Sequence, residues 1–148
     1  MRRLRKFIAL NTAERAIVLR SLLLLPLVAA LLRTSGMART AALLERLRRS
    51  SASAPDALEP REIAALVNAT ASALGANCLP RSLVLCQLLR NRGIAADIRL
   101  GVAKPADGDL LAHAWVELDG LPLNDSLDVA ERYAALPSPE NGFHAGRS

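Results

Sequence analysis

The stretch with the strongest signal is ten residues long and reads Asn77-Cys78-Leu79-Pro80-Arg81-Ser82-Leu83-Val84-Leu85-Cys86. A polar, glycine-containing segment gives way here to an apolar run with helical spacing. Pro80 suits the first turn of a helix, where the N–H that proline lacks would have no intrahelical partner. The sequence therefore predicts a helix that begins near Cys78 and continues to about Arg92. Because apolar residues cover most of its circumference, we expect this helix to be central in the fold.

Cys78 is a candidate nucleophile because of its position on this helix. A helix N-terminus offers unpaired N–H groups and the positive end of the helix dipole, and both favour a negatively charged thiolate. The thiolate is the form of cysteine that attacks carbonyl carbons. Cys86 lies eight residues further on, about 12 Å along the helix axis, which is too far for a disulfide with Cys78. We interpret Cys86 as a packing residue.

The spacing of apolar residues changes from helical to alternating after this helix. Residues 94–102 and 111–118 predict two strands joined by a hairpin loop. Asp119-Gly120 then turns the chain, and residues 121–125 are predicted to return beside the second strand. Helices followed by a small antiparallel sheet indicate an α+β fold.

His113 and Asp125 follow Cys78 in the chain order nucleophile, base, acid. In such a triad the imidazole takes and returns a proton, and the acid orients the imidazole. A two-residue turn in the hairpin would place His113 opposite Ser126, whereas a three-residue turn would place it opposite Asp125. The chemistry requires the second register, which we predict. Each residue also has a structural interpretation, as a buried thiol, a satisfied core histidine and a turn aspartate.

The first fifty residues are strongly basic, with eleven Lys and Arg against Glu14 and Glu45, whereas residues 51–148 carry a net charge of −4. A basic segment suits a membrane surface, a nucleic acid or an acidic partner, or it forms a solvated face over an apolar stripe. Phe7 is the only aromatic residue among these fifty, which argues against a surface that stacks bases. We predict no nucleic-acid partner, and we keep peripheral membrane contact through this basic head as an expectation.

The basic segment is predicted to be helical. Residues 11–14 form a capping-box pattern that starts a helix, which runs to about Arg33. Pro26 is expected to kink or break this helix, and Ser35-Gly36 to end it. A second amphipathic helix is predicted over residues 38–49.

The protein is predicted to be cytoplasmic. The uninterrupted apolar run over residues 21–32 is shorter than the roughly 20 residues that span a membrane. The two cysteines cannot pair with each other, which favours a reducing compartment. Cysteine and histidine are not spaced as metal ligands, so we predict no metal and no cofactor.

A Ser-, Ala- and Pro-rich stretch divides the sequence into a helical head and a catalytic core. The predicted units are a Leu/Arg-rich head (residues 1–50), a linker (51–58), a core (59–136) and a flexible tail (137–148). The core is expected to open with a helix over residues 60–74, with proline at its start and glycine just past its end.

Five blocks in this order carry a family resemblance: Cys78-Leu79-Pro80-Arg81-Ser82-Leu83, Arg92-Gly93-Ile94, Leu100-Gly101-Val102, Ala112-His113-Ala114-Trp115-Val116-Glu117 and Leu123-Asn124-Asp125. Together they closely resemble the lasso-peptide leader peptidases, transglutaminase-like cysteine proteases of bacterial biosynthetic clusters. The resemblance implies a transglutaminase- or papain-like core, with helices packed on a small antiparallel sheet and an N-terminal helical extension. It also implies Cys78 as nucleophile, His113 as base and Asp125 as the group that orients the imidazole.

The resemblance further implies a substrate and partners. The family removes the leader from a ribosomally made precursor peptide, and a lasso cyclase then joins the freed amino group to an acidic side chain. Some members carry an N-terminal winged-helix-like domain that binds the leader and contains three strands. Because the head of this chain is predicted to be helical, we expect a separate leader-recognition protein. A transglutaminase-like acyl transferase and a non-catalytic peptide-binding subunit remain as alternatives.

Overall fold

The computed structural model describes residues 10–49, 58–106 and 108–137. In chain order the elements are α1 (Thr12–Arg49), α2 (Pro60–Leu74), α3 (Cys78–Arg90), β1 (Asp97–Ala103), β2 (Leu111–Leu118), β3 (Leu121–Pro122), α4 (Val129–Arg132) and β4 (Ala134–Ala135). The predictions for residues 1–9 of the basic head, for nearly all of the linker and for the tail beyond Pro137 lie outside the described residues.

Helix α1 begins as the sequence predicts. The Asn11 side chain accepts a hydrogen bond from the Glu14 N–H (2.8 Å), and the Glu14 carboxylate accepts one from the Asn11 N–H (2.7 Å). The expectation of a break at Pro26 is wrong, because the backbone stays helical through that residue. The interruption lies at Gly36 (φ 73°, ψ 175°), within the Ser35-Gly36 pair that was predicted to end the first helix.

Helices α2 and α3 also begin and end close to their predicted bounds. Pro60 opens α2 inside a capping box formed by Glu59 and Glu62. Gly75 ends the helix in the left-handed conformation (φ 65°), which glycine adopts without strain. Only Ala76 and Asn77 then separate Gly75 from Cys78, the first residue of α3. The turn is therefore tight, and it fixes the direction in which α3 leaves.

The sheet has the strand order β3-β2-β1-β4, and every neighbouring pair is antiparallel. The β1–β2 hairpin confirms the two predicted strands and pairs Gly101 with His113. The third strand covers only two of the five predicted residues. Strand β4 was not predicted. It is two residues long, Ala134–Ala135, and follows the single helical turn of α4.

Helix α3 lies at the centre of the molecule, as its apolar circumference predicted. It packs against α1, α2 and β2, and Leu83, Leu85 and Leu89 are almost completely buried. One hydrophobic cluster joins these leucines to residues from the other two long helices and the sheet. The α+β class is therefore confirmed, with helices packed on one small antiparallel sheet.

Helix α1 contributes to the same core, although its other side is exposed. Ile17, Leu25, Val28 and Leu44 belong to the central cluster. The exposed face carries large apolar side chains at Leu19, Leu22, Leu23, Leu27, Leu43 and Leu47.

By length and composition α1 is also apolar enough to cross a membrane. The best 18-residue window within Thr12–Leu47 has a mean hydropathy of 2.1, and 22% of it is buried inside the protein. Core helices of soluble proteins and N-terminal signal sequences satisfy the same two criteria, so this property alone assigns no location.

Candidate active site

Cys78 occupies the first position of α3, where the sequence placed it. Its thiol is free and partly accessible, and Asn77 before it has the extended backbone of an N-cap residue (φ −67°, ψ 170°). The first N–H groups of a helix have no partner within the helix, so backbone donors lie around the thiol. Within the described part of the chain the Cys78 thiol makes no hydrogen bond, and its pairing with His113 stays a prediction.

His113 and Asp125 are in direct contact. The imidazole Nε2 lies 2.6 Å from the Asp125 carboxylate Oδ2, and both side chains are about four-fifths buried (23% and 20% exposed). A carboxylate accepts hydrogen bonds, so Nε2 carries the proton in this contact. Nδ1 is then the nitrogen that is left to accept a proton from another group, as a general base does.

The hairpin register that was predicted to bring these residues together is wrong. Leu118 pairs with Leu121, so the turn has two residues, and both Asp119 (φ 52°) and Gly120 (φ 78°) are left-handed. These are the backbone angles of a type I′ turn, whose twist matches that of the flanking strands. In this register a continuing strand would not place Asp125 opposite His113.

Asp125 reaches His113 because the third strand ends early. Leu123 still donates a backbone hydrogen bond to Val116 (2.8 Å). In a continuing strand the Val116 N–H would donate to the Leu123 carbonyl in return. It donates instead to the Asn124 side-chain oxygen (2.7 Å). The Asn124 side chain thus replaces a backbone acceptor in the hydrogen bonds between the two strands, and the main chain leaves the sheet at this residue. Asp125 is freed from the strand register and its carboxylate is directed at the imidazole.

The hydroxyl of Ser82 forms hydrogen bonds that link the three segments carrying the predicted triad. Its buried hydroxyl donates to the Ala114 carbonyl of β2 (3.0 Å) and accepts from the Asn124 side chain (3.2 Å). It lies one turn after Cys78 on α3, whereas its two partners immediately follow His113 and precede Asp125 in the chain. The hydroxyl therefore sets the position of α3 relative to β2 and to the segment after β3 that carries Asn124 and Asp125.

Asp125 is held by more than the imidazole. Its second oxygen accepts hydrogen bonds from the Ser126 N–H (2.8 Å) and the Arg132 guanidinium (3.2 Å). Burial acts to raise the pKa of Asp125, but the hydrogen bonds from His113 and Ser126 outweigh it, so the pKa lies below its ordinary value. The carboxylate stays ionised at neutral pH, the form that can orient and stabilise an imidazolium.

Two aromatic rings enclose the imidazole. The Tyr133 ring stacks on His113 with centroids 4.8 Å apart, and the fully buried Trp115 ring lies at 6.1 Å. Gly101 makes this packing feasible, because a Cβ at that position would lie 2.8 Å from the Tyr133 Cβ and 2.9 Å from the Trp115 ring. The rings restrict both the rotation of the imidazole and its access to water.

Cys86 fits the packing role that its mid-helix position suggested. The thiol is buried and donates to the Ala96 carbonyl (3.3 Å). Burial raises its pKa to about 11, so it is protonated at neutral pH and is a poor nucleophile. Over the residues that the structure describes, His, Cys, Asp and Glu side chains form no group of three that could hold a metal ion.

A sequence model described as the transglutaminase-like superfamily matches residues 21–138, most of the chain. The chain belongs to the transglutaminase-like superfamily. Its members are often cysteine proteases or acyl transferases, both of which use an activated thiol. No curated protein and no solved structure matches this chain. The superfamily match begins inside α1, in the segment that was predicted to be a separate head, and α1 shares the hydrophobic core of this transglutaminase-like domain.

Four residues around the site were missed or left without a role by the sequence reasoning: Ser82, Asn124, Arg132 and Tyr133. Ser82 gave a usable signal, because it is a polar residue one turn after Cys78 on an otherwise apolar helix. The other three carry no local pattern, and their importance follows from contacts that only the folded chain shows.

Ser82→Ala is expected to destabilise the protein by about 1–3 kcal/mol, because it leaves the Asn124 amide and the Ala114 carbonyl with an unfilled hydrogen-bond site in a buried place. Thermal unfolding measures this loss. Ser72→Ala is the matched control, since Ser72 is exposed on α2 and its loss should change stability by less than about 0.5 kcal/mol. Equal melting temperatures for the two variants would contradict the role of the Ser82 hydroxyl.

Proposed function

We propose that this protein is a cysteine peptidase that removes the leader from a lasso-peptide precursor, with Cys78 as nucleophile, His113 as base and Asp125 as the orienting acid. The observation that carries the proposal is the 2.6 Å contact between His113 and Asp125. His113 lies on β2, and a hydrogen bond from Ser82 joins this strand to the helix that begins at Cys78. Superfamily membership supports thiol-based acyl chemistry. The leader-peptidase assignment rests on the five sequence blocks.

In the proposed reaction the Cys78 thiol gives its proton to His113 Nδ1, and the sulfur attacks the carbonyl carbon at the leader–core junction. Backbone N–H groups at the start of α3 are suited to hold the resulting oxyanion. His113 then protonates the departing amine, the C–N bond breaks and a thioester remains on Cys78. Water, activated by His113, attacks the thioester and releases the leader with a free carboxylate and the enzyme with its thiol.

Asp125 has two tasks in this scheme. It fixes the imidazole with Nε2 protonated and Nδ1 free to act, and its negative charge stabilises the imidazolium that forms when the thiol ionises. The Arg132 and Ser126 contacts hold its second oxygen, so the carboxylate cannot rotate freely away from the ring. The Tyr133 and Trp115 rings lie against the imidazole and limit its rotation.

The proposed partners are the precursor peptide, a separate leader-recognition protein and the lasso cyclase. Residues 12–49 form one interrupted helix, and the strands of the described chain all belong to the single sheet beside α3. The described residues thus give no support to a built-in winged-helix domain, which favours recognition of the leader by another protein. We place this assembly in the cytoplasm, consistent with two unpaired cysteines.

An acyl transferase is the second candidate, because the superfamily contains both activities and the thioester is common to both. The mass of the products separates them. Peptidase activity on a candidate precursor, with a leader-recognition protein present, should yield two fragments whose masses sum to the precursor plus one water. In ¹⁸O-enriched water the leader fragment alone should gain one heavy oxygen.

A product in which the leader is joined to an added amine would favour the transferase. Cleavage at several scattered sites would contradict a leader peptidase. Omission of the recognition protein should slow cleavage strongly if the leader is presented by that partner, and an unchanged rate would remove that part of the proposal.

A further inference from the structure

Helix α1 has apolar side chains on two opposite sides. Ile17, Leu25 and Val28 face the central cluster and are almost completely buried. A second set follows the spacing i, i+3, i+4, i+7, i+8 and i+11, which places residues on one face of a helix. We call this set the apolar stripe, and its members are Leu19, Leu22, Leu23, Pro26, Leu27 and Ala30. All six are exposed, and its four leucines are between 40% and 74% exposed.

The charges along α1 are of one sign. Residues 15–44 contain four arginines and neither Asp nor Glu. Arg20 lies one turn before Leu23, Arg33 lies one turn after Ala30, and both arginines are exposed. The stripe is therefore accompanied by positive charge towards each of its ends. This face suits an occupant that presents apolar groups beside negative charges.

The composition of the stripe favours lipid over protein as that occupant. Between Arg20 and Arg33 all exposed residues are apolar, and none has a side chain that forms hydrogen bonds. A protein interface usually contains about one hydrogen bond per 100–200 Å² and is anchored by aromatic or Arg side chains rather than by leucine. In a bilayer the acyl chains accept the leucines, and the anionic headgroups attract the arginines, whose long side chains extend to the aqueous boundary.

The place of α1 in the core indicates a helix that lies on the bilayer and does not cross it. Crossing would remove Ile17, Leu25 and Val28 from the cluster that they form with α3. The uninterrupted apolar run over residues 21–32 is also shorter than the roughly 20 residues that a crossing requires. Docking through the stripe leaves the core contacts in place, because the stripe and the core residues lie on opposite sides of the helix.

We propose that the apolar stripe docks the folded protein on an anionic phospholipid bilayer. Helix α1 lies parallel to the surface, with the leucines among the upper acyl chains and with Arg20 and Arg33 at the level of the phosphates. The docking residues are separate from Cys78, His113 and Asp125, so the proposal stands or falls independently of the proposed function. It assigns the expected membrane contact of the basic head to named residues.

Vesicle flotation tests the proposal with the intact 148-residue chain. Vesicles of phosphatidylcholine alone are compared with vesicles of phosphatidylcholine and phosphatidylglycerol in equal parts. Bound protein floats in a density gradient, whereas aggregated protein sinks and is not counted. We expect binding to the anionic vesicles to be at least about tenfold tighter, as two arginines near a charged surface provide. Salt at about 1 M should remove most of this difference.

Leu23→Gln tests the stripe, because Leu23 is 74% exposed there. Leu127→Gln is the matched control, since Leu127 is 72% exposed between β3 and α4. Leu23→Gln should weaken binding to the anionic vesicles by about tenfold, the effect of withdrawing one large apolar side chain from hydrocarbon. Leu127→Gln should change it by less than about twofold. Melting curves that match the wild type show that both variants are folded.

Arg33→Gln tests the charge beside the stripe. Arg61→Gln is its control, because Arg61 is exposed at the start of α2, whereas Leu74 at the end of α2 lines the same cavity as Arg33. Arg33→Gln should weaken binding to anionic vesicles by about fivefold, and Arg61→Gln by less than about twofold. Equal losses in the two variants would show attraction by net charge alone and would overturn the role of Arg33.

Three results would overturn the docking proposal. The first is a wild-type protein that does not float with anionic vesicles, and the second is equal binding by Leu23→Gln and Leu127→Gln. The third is a wild-type dimer by light scattering that Leu23→Gln converts to a monomer while neither protein floats, which would make the stripe an interface between two copies of the chain. None of these results depends on whether the protein cleaves a precursor.

Discussion

Cys78→Ala is expected to lower the rate of precursor cleavage by on the order of 10⁴-fold or more, because the methyl side chain has no nucleophilic atom and the thioester cannot form. The variant should fold normally, since the thiol is partly accessible and makes no hydrogen bond within the described residues. It should also bind a fluorescein-labelled precursor with unchanged affinity, because the substitution removes one sulfur atom and leaves the imidazole and the surrounding side chains in place. Intact mass of the precursor over time measures the cleavage rate, and anisotropy measures the binding.

Cys86→Ala is the matched control for loss of a thiol. Cys86 lies on the same helix, but it is buried and protonated, and it bonds to the Ala96 carbonyl. This variant should cleave the precursor at close to the wild-type rate. If cleavage persists in Cys78→Ala, the central assignment is lost. If neither variant nor the wild type cleaves a precursor that they all bind, the chain acts as a non-catalytic peptide-binding subunit.

Asp125→Ala is expected to reduce the rate of cleavage by on the order of 10³- to 10⁴-fold, the range seen when the acid of a triad is removed. Without the carboxylate, His113 loses both its 2.6 Å hydrogen bond and the charge that stabilises an imidazolium. Asp125→Asn should lose about as much as Asp125→Ala, because donors face both carboxylate oxygens and an amide has only one acceptor oxygen. If the amide turns its NH2 group towards His113, it favours the wrong imidazole tautomer. Single-turnover kinetics on the precursor rank the three proteins.

Asp128→Ala provides the control for this prediction. Asp128 binds Arg132, as Asp125 does, but it has no contact with His113 and is exposed. Its replacement should change the rate by less than about twofold, in line with other exposed positions. A large loss in Asp128→Ala would mean that Arg132 rather than the imidazole contact governs the rate.

The pKa of Asp125 also bears on the pH profile. Because its hydrogen bonds hold the pKa below the ordinary value of an aspartate, the carboxylate loses its charge only at a more acidic pH than usual. In the wild-type protein Asp125 therefore keeps its charge to a lower pH than an ordinary aspartate does. A rate loss that begins above that range must reflect another group.

Features set by neighbouring residues were predictable from the sequence. The Asn11–Glu14 capping box, the Pro60 start and Gly75 end of α2, and the start of α3 at Cys78 all depend on side chains within a few positions of one another. The alternation over β2 gave its bounds correctly. These signals are sufficient to place Cys78 at a helix start and His113 on a strand.

Features set by long-range contacts were not predictable. The three-residue turn was chosen because the chemistry needed His113 opposite Asp125, yet the twist of the strands favours the two-residue turn that the structure has. A strand that ends early also brings Asp125 to His113, without the three-residue turn. Asn124 ends it by placing its side chain in the ladder, and nothing in the local sequence distinguishes that use of asparagine from a turn.

The continuity of α1 at Pro26 was missed for a similar reason, whereas the interruption at Gly36 agrees with the prediction. Proline inside a helix removes one backbone hydrogen bond and usually bends the chain, so Pro26 was expected to kink or break α1. Packing of Ile17, Leu25 and Val28 against the central helix outweighs that loss, since burial of each large side chain contributes about 1.5–3 kcal/mol. Strand β4 is two residues long and depends on its pairing with β1, which no pattern of its own reveals.

The place of α1 in the hydrophobic core limits how this protein can be shortened. A chain cut at the predicted linker would keep Cys78, His113 and Asp125, and it would look like a minimal enzyme. It would also leave the buried leucines of α3 facing water, which favours aggregation. Inactivity of such a fragment would report on its solubility and would carry no information about the catalytic groups.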